Sequence, residues 1–170
     1  MTRYVRMSSK QKNLSTHKEF TVKHAAKYKI AIAVSEYNDD ITFALRDGAI
    51  KTLKAHGVKE KHITVQLVPG AFELPLAASW LYEYGNADAV ICLGCVIKGD
   101  TDHDIYINNA VSSAIMDLGL KTGAPFVFGV ITPNNHQQAK DRAGGKHGNK
   151  GVECAVATLK MLELKYELSK

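Results

Sequence analysis

Four short apolar runs, each followed by a stretch with helical spacing, constrain this chain more than any other feature. The runs are KIAIAVS (29–35), HITVQLV (62–68), ADAVICLGCVI (87–97) and PFVFGVI (125–131). KIAIAVS is β-branched and apolar, as a strand covered on both faces is, and Pro69 and Gly70 end the second run. A helix-length segment fills each gap. Strands joined that way pair in parallel, by right-handed crossovers, with helices on both sides. The expected architecture is α/β, a three-layer α/β/α fold around a four-stranded parallel sheet.

The intervening segments carry their own boundary signals. Asn38 and Asp39 can cap the first helix, and Ile41, Ala44, Leu45, Gly48, Ala49, Thr52, Leu53 and His56 mark one face of it before Gly57 stops it. AFELPLAASWLYEY predicts a second helix, with Pro75 in its first turn or kinking it. A third runs from about Asp102 to Leu120 and stops at Gly123. A short helix around 135–142, a Gly-rich link and a long helix from about Gly151 to Leu168 complete the chain. No internal repeat or second domain is visible. Residues 27–170 read as one domain, and residues 1–26 as a basic, mobile extension.

Charge narrows the function classes. The chain carries a formal +5. Arg3, Arg6, Lys10, Lys12, Lys18 and Lys23 against Glu19 account for all of it, and residues 27–170 balance sixteen basic with sixteen acidic side chains. A neutral body lacks the field that draws in a polyanion, so nucleic acid is not an expected partner. No run approaches the ~18 apolar residues of a membrane span, and the start of the sequence lacks the apolar core of a secretory signal. Three cysteines in 170 residues are too few for a disulfide scaffold, which points to a reducing, cytoplasmic setting. Cys92 and Cys95 are spaced like a redox pair, but they fall inside a strand, where residues three apart face opposite ways. The seven histidines show no metal-ligand spacing.

Sites in parallel sheets gather beyond the carboxyl ends of the strands. That rule selects SEYND (35–39), VPGAFE (68–73), GCVIKGDTDH (94–103) and VITPNNH (130–136). GCVIKGDTDH lacks the lysine of a nucleotide-binding P-loop, with Asp100 in its place. Gly99 still allows close backbone approach, and the amides of Asp100 and Thr101 with the Thr101 hydroxyl can hold a phosphate. The same turn is also explained as a strand-to-helix corner capped by Thr101 or Asp102. His103 follows in the first helical turn, and histidine is the side chain best suited to moving protons near neutral pH. Arg142, in KDRAGGKHGNKG, can clamp a phosphate, or that stretch is a link with solvated charges. Phe72 and Glu73 at the second strand's end, and Tyr37 and Phe128 near the ends of the first and fourth, can serve a planar ligand or simply pack.

Taken in order, YND, VPGAFELP, GCVIKGDTDH, FGVITPNN and DRAGGKHGNKG resemble the lumazine synthase family from about Tyr28 to the C-terminal helix. The resemblance implies a flavodoxin-like fold and a transferase of riboflavin biosynthesis. A ribitylaminouracil condenses with 3,4-dihydroxy-2-butanone 4-phosphate to give 6,7-dimethyl-8-ribityllumazine, phosphate and water. It implies small-molecule substrates, no metal or redox cofactor, and a homo-oligomer. That assembly is a pentamer, in some members closed into a 60-subunit icosahedral capsid, with riboflavin synthase as an associated partner. By the same resemblance, Tyr37 stacks on the pyrimidine, and Ala71, Phe72 and Glu73 hold the ribityl chain. Cys95, Val96 and Ile97 offer backbone groups to the uracil, and Phe128 reaches in from a neighbouring subunit. Asp100, Thr101 and Arg142 take the phosphate, and His103 carries protons. The sequence departs from the family pattern in Asp100 for a small residue, Asp104 for an aromatic, and Lys98 where arginine is common. A non-catalytic flavin- or lumazine-binding or shell-forming protein of the same fold is the alternative reading.

Overall fold

The computed structural model describes residues 13–170. Its main sheet has four parallel strands, β1 (Ile30–Ser35), β2 (Ile63–Val68), β3 (Ala89–Cys95) and β4 (Phe126–Ile131), in the order β2-β1-β3-β4. The chain steps outward from β1 to β2, then crosses back over β1 to lay down β3. The order in which strands are added therefore reverses between β1 and β3, where such sheets form binding crevices.

Five helices cover it: α1 (Asp39–Ala55), α2 (Leu74–Glu83), α3 (His103–Thr122), α4 (His136–Arg142) and α5 (Lys150–Leu168). The three-layer expectation holds. On one face Ile30, Ile32 and Val34 of β1 and Ile91 and Leu93 of β3 pack with Leu45 and Leu53 of α1 and Leu159 and Leu162 of α5. On the other, Ala31, Ala33, Val90 and Cys92 pack with Leu74 and Ala78 of α2 and Val111 and Ile115 of α3. Each fully buried Ile or Leu contributes about 1.5–3 kcal/mol. Pro75 sits in the first turn of α2, where its missing N–H costs no helical hydrogen bond. Gly123 ends α3 in the left-handed conformation, with φ 63°. Among the described residues, no helix is long and apolar enough to cross a membrane.

Helices α1 and α5 touch backbone to backbone. A Cβ on Gly151 would overlap the Leu45 carbonyl oxygen, and one on Gly48 would strike the Asn149 side chain. Asn149 locks this contact. Its Oδ1 accepts from the Gly151 and Val152 amides (2.8 and 3.3 Å), capping α5, while its Nδ2 donates to the Ala44 carbonyl of α1 (2.8 Å).

Two sequence expectations are corrected. The Gly-rich link after Arg142 is a small antiparallel hairpin, β5 (Ala143–Gly145) and β6 (Gly148–Asn149). Gly144 and Gly148 supply the positive φ values, 117° and 84°, that the hairpin needs. The expected mobile extension also differs. Its residues 1–12 lie outside the described residues, but residues 13–26 lie along the body. Val22 and Ala25 are buried, Phe20 stacks on His56 at 4.7 Å, and the Lys23 amide donates to Glu163 (3.1 Å). Lysines flank these few apolar anchors, and the composition hides them.

Cys92 and Cys95 do face opposite layers, and with Cys154 they are free and buried. Burial pushes all three thiols up to about 12, so they stay protonated at pH 8. The native protein should therefore resist a thiol reagent at pH 8 and react at all three positions once denatured. Rapid labelling of the folded protein would contradict this.

Candidate functional site

At the reversal point, hydrogen bonds between strand ends shape the crevice. Beyond β1 the Glu36 amide donates to the Val68 carbonyl (2.8 Å) and the Tyr37 amide to the Pro69 carbonyl (3.3 Å). Asn38, the residue before α1, is left-handed at φ 57°. It caps no helical amide; its Nδ2 donates instead to the Cys95 carbonyl (3.0 Å), tying the end of β1 to the end of β3. Thr42 braces the same corner, its buried hydroxyl donating to the Ser35 carbonyl (2.7 Å).

Gly70 forms the floor beside this corner. A Cβ there would stand 3.0 Å from Tyr37 Cδ2 and 3.1 Å from Glu73 Oε2, so the aromatic ring and the carboxylate converge over it. Ala71, Phe72 and Glu73 form a single 3-10 turn leading into α2. Ala71 is buried and packs toward Gly94, whereas Phe72 and Tyr37 are 60% and 71% exposed. Two exposed aromatics beside a convergent carboxylate and backbone can take a flat polar ring.

Residues 95–98 run alongside the end of β4. The Val96 amide donates to the Ile131 carbonyl (2.9 Å) and the Lys98 amide to the Pro133 carbonyl (3.0 Å). With the Cys95 carbonyl held by Asn38, several backbone groups of this stretch are already committed. Gly99, Asp100, Thr101 and His103 are exposed. A Cβ on Gly99 would meet nothing within 4 Å, so packing inside the chain does not account for that glycine. Asp102 occupies the N-cap position of α3 without a side-chain cap, and the Ile105 amide is the first to find an acceptor, the Asp102 carbonyl (3.0 Å). The leading amides point outward, as at any helix start. Asp104 and Asn108, one turn apart on α3, each keep a buried Oδ1 without a hydrogen-bond partner.

Arg142 belongs to a different place. Its Nη1 donates to the His147 carbonyl (2.9 Å), and its Nη2 pairs with Glu153 at 2.8 and 3.0 Å. Lys150 lies 3.4 Å from the same carboxylate. The guanidinium borders a cavity of about 440 Å³ with Thr132, Pro133, Gln138, His147 and Lys150, at the carboxyl end of the edge strand β4. Residues 100, 101 and 103 do not line it. Phe128, half-buried on β4, packs with the α2–α3 layer. One chain thus holds two candidate partial sites: Tyr37, Ala71–Glu73 and the 95–103 stretch at the reversal point, and Arg142 with two further basic side chains at the sheet's edge.

The comparisons with known proteins decide the family. Residues 27–166 match the family model described as 6,7-dimethyl-8-ribityllumazine synthase. The chain belongs to the 6,7-dimethyl-8-ribityllumazine synthase family. It is similar to the protein of that name from Phocaeicola vulgatus, at 45% identity over 96% of this chain and 98% of the relative. It is 49% identical to those from Bacteroides fragilis, over 84% and 99%, and Cytophaga hutchinsonii, over 92% and 98%. The sequence resemblance to the lumazine synthase family is borne out, and the matched span contains every candidate site residue, from Tyr37 to Arg142.

Sequence reasoning missed three sets of contacts. Asn38 read as a helix cap, not as a bridge to Cys95. Glu153, the carboxylate that holds Arg142, was not singled out, although it stands one turn after Lys150 at the start of the last helix. The Ser15 hydroxyl bonds to both the carbonyl and the amide of Asn149, and this pairing carries no local signal at all.

Proposed function

We propose that this member of the lumazine synthase family condenses 5-amino-6-(D-ribitylamino)uracil with 3,4-dihydroxy-2-butanone 4-phosphate, using the two partial sites together. The observation that carries the proposal is the convergence of Tyr37 and Glu73 over Gly70 within a chain matched to the family along residues 27–166. Tyr37 stacks on the pyrimidine, Ala71, Phe72 and Glu73 hold the ribityl chain, and the 95–97 backbone meets the uracil edge. Phosphate binds at the Asp100 and Thr101 amides and at Arg142, and His103 transfers protons. No metal or redox cofactor enters the scheme.

The steps balance. The uracil's 5-amino group attacks the ketone, and loss of water gives an imine. Phosphate leaves and the resulting enol tautomerises to a ketone. The ribitylamino nitrogen closes the ring with loss of a second water. His103 can give and take the protons of these steps. Incubating both substrates and following lumazine absorbance tests the activity; no lumazine would refute it.

The Arg142 cavity is lined by residues 130–150 alone. This supports a site completed by a second copy of the chain, with Phe128 and Arg142 contributed across the boundary. Two exposed apolar surfaces support the same reading. Leu67, Leu76, Trp80 and Tyr84 surround a cavity of about 620 Å³ on the β2 side. Met116, Leu120, Met161, Leu164 and Leu168 surround one of about 550 Å³ on the β4 side. Patches this apolar favour association, and different patches on opposite edges favour a head-to-tail ring over a two-fold pair. A ring of five is the assembly we propose, and particle mass separates it from a closed 60-subunit shell. The domain at 27–170, a cytoplasmic location and association with riboflavin synthase belong to the same proposal.

Arg142→Ala should raise KM for the phosphorylated substrate about 10–100-fold with little change in kcat, because charge-assisted bonds to phosphate are lost. With the phosphorylated substrate held below the raised KM, mixed particles carrying Arg142→Ala and His103→Ala subunits should turn over faster than either variant alone. An Arg142→Ala protein with unaltered KM would remove the phosphate role.

A further inference from the structure

The segment before β1 makes specific bonds to the hairpin that follows Arg142. The Leu14 amide donates to the His147 carbonyl (3.0 Å), the same oxygen that accepts from Arg142 Nη1 (2.9 Å). A carbonyl has two lone pairs, and here the segment takes one and the guanidinium the other. The Ser15 hydroxyl donates to the Asn149 carbonyl (3.0 Å) and accepts from the Asn149 amide. Asn13 and Ser15 lie directly over Gly148, where a Cβ would overlap Asn13 Oδ1 and Ser15 Oγ. Residues 13–15 thus add an outer rung to the β5–β6 hairpin. Farther along, Phe20 anchors the segment between His56 of α1 (4.7 Å) and the Lys160 ammonium of α5 (5.1 Å).

We infer that residues 13–15 are a positioning strap for Arg142, fixing its guanidinium through the His147 carbonyl. Glu153 holds the other side of the guanidinium (2.8 Å), so the strap and the carboxylate together define where its remaining N–H groups point. A bidentate clamp depends on that direction more than on charge alone. The strap touches no substrate and acts only through the backbone it braces. The inference rests on Arg142 being the phosphate clamp proposed above.

Steady-state kinetics on the full protein test it. Ser15→Ala, Ser15→Thr, a deletion of residues 1–15 and Arg142→Ala are compared, with thermal melting as a folding control. Ser15→Ala and the deletion should raise KM for the phosphorylated substrate about three- to tenfold, the loss expected for one or two neutral hydrogen bonds. KM for the aminouracil and kcat should change by less than about twofold. Ser15→Thr, which keeps the hydroxyl, should restore the parent KM. In an Arg142→Ala background the strap variants should add nothing further, because two residues acting through one contact are not additive. Strap variants that leave KM unchanged while Arg142→Ala raises it would overturn the inference and spare the clamp. So would an equal rise in both backgrounds. An Arg142→Ala protein with normal KM would overturn the clamp and the strap together.

Discussion

Replacing His103 with alanine should lower kcat about 10²-fold and leave both KM values nearly unchanged. His103 opens α3 and is exposed at the reversal point, beside the amides proposed for phosphate. Several proton transfers can pass through one imidazole there, and general acid–base help is worth ~10²–10⁴-fold. The lower end is expected because the reaction joins two substrates, and holding them together supplies an effective molarity of ~10⁵–10⁸ M. Tyr37, Glu73 and Arg142 would still provide that in the variant. Single-turnover and steady-state measurements check the ranking. Turnover lost altogether, with both substrates still bound, would show that proton transfer outweighs positioning.

The second large effect is on stability. Gly151→Ala should cost about 3 kcal/mol, the upper end of what overpacking a tight interior costs. The added methyl would meet the Leu45 carbonyl, which is backbone and cannot rotate away, and Asn149 Oδ1 at 3.0 Å. Alanine gains about 1 kcal/mol of helix propensity over glycine, too little to offset that clash. Domains of this size hold about 5–15 kcal/mol in all, so the urea midpoint should fall visibly. Gly99→Ala is the control: a Cβ there meets nothing, and the midpoint should not move. A Gly151→Ala protein as stable as its parent would mean that α1 and α5 can separate without penalty.

How much of this was legible depends on how local the cause is. The central strands β1 and β3 were readable because burial on both faces forces continuous apolar runs, whereas the edge strand β2, buried only at Val68, was marked by the break at Pro69 and Gly70. Gly57 and Gly123, with φ 94° and 63°, marked helix ends for the same local reason. The half-site at the reversal point followed from topology, since strand ends converge there whatever their sequence. The hairpin after Arg142 was not legible: glycine permits φ 117° at Gly144 and 84° at Gly148 but does not require them. Glu153 was hidden because the fold back through that hairpin, not helical spacing, brings it to Arg142. Ser15 meets Asn149 across 134 positions of chain, which no window of sequence can reveal. Within one chain Arg142 contacts the His147 carbonyl and Glu153 and does not share a cavity with Asp100 and Thr101, so their expected meeting rests on the assembly proposed above.

Asn149 carries a mechanical consequence. One amide side chain joins α1, the cap of α5 and the hairpin that leads back to Arg142. A phosphate clamp at Arg142, as proposed above, would then be braced before substrate arrives, with its ordering cost met during folding instead of at each turnover.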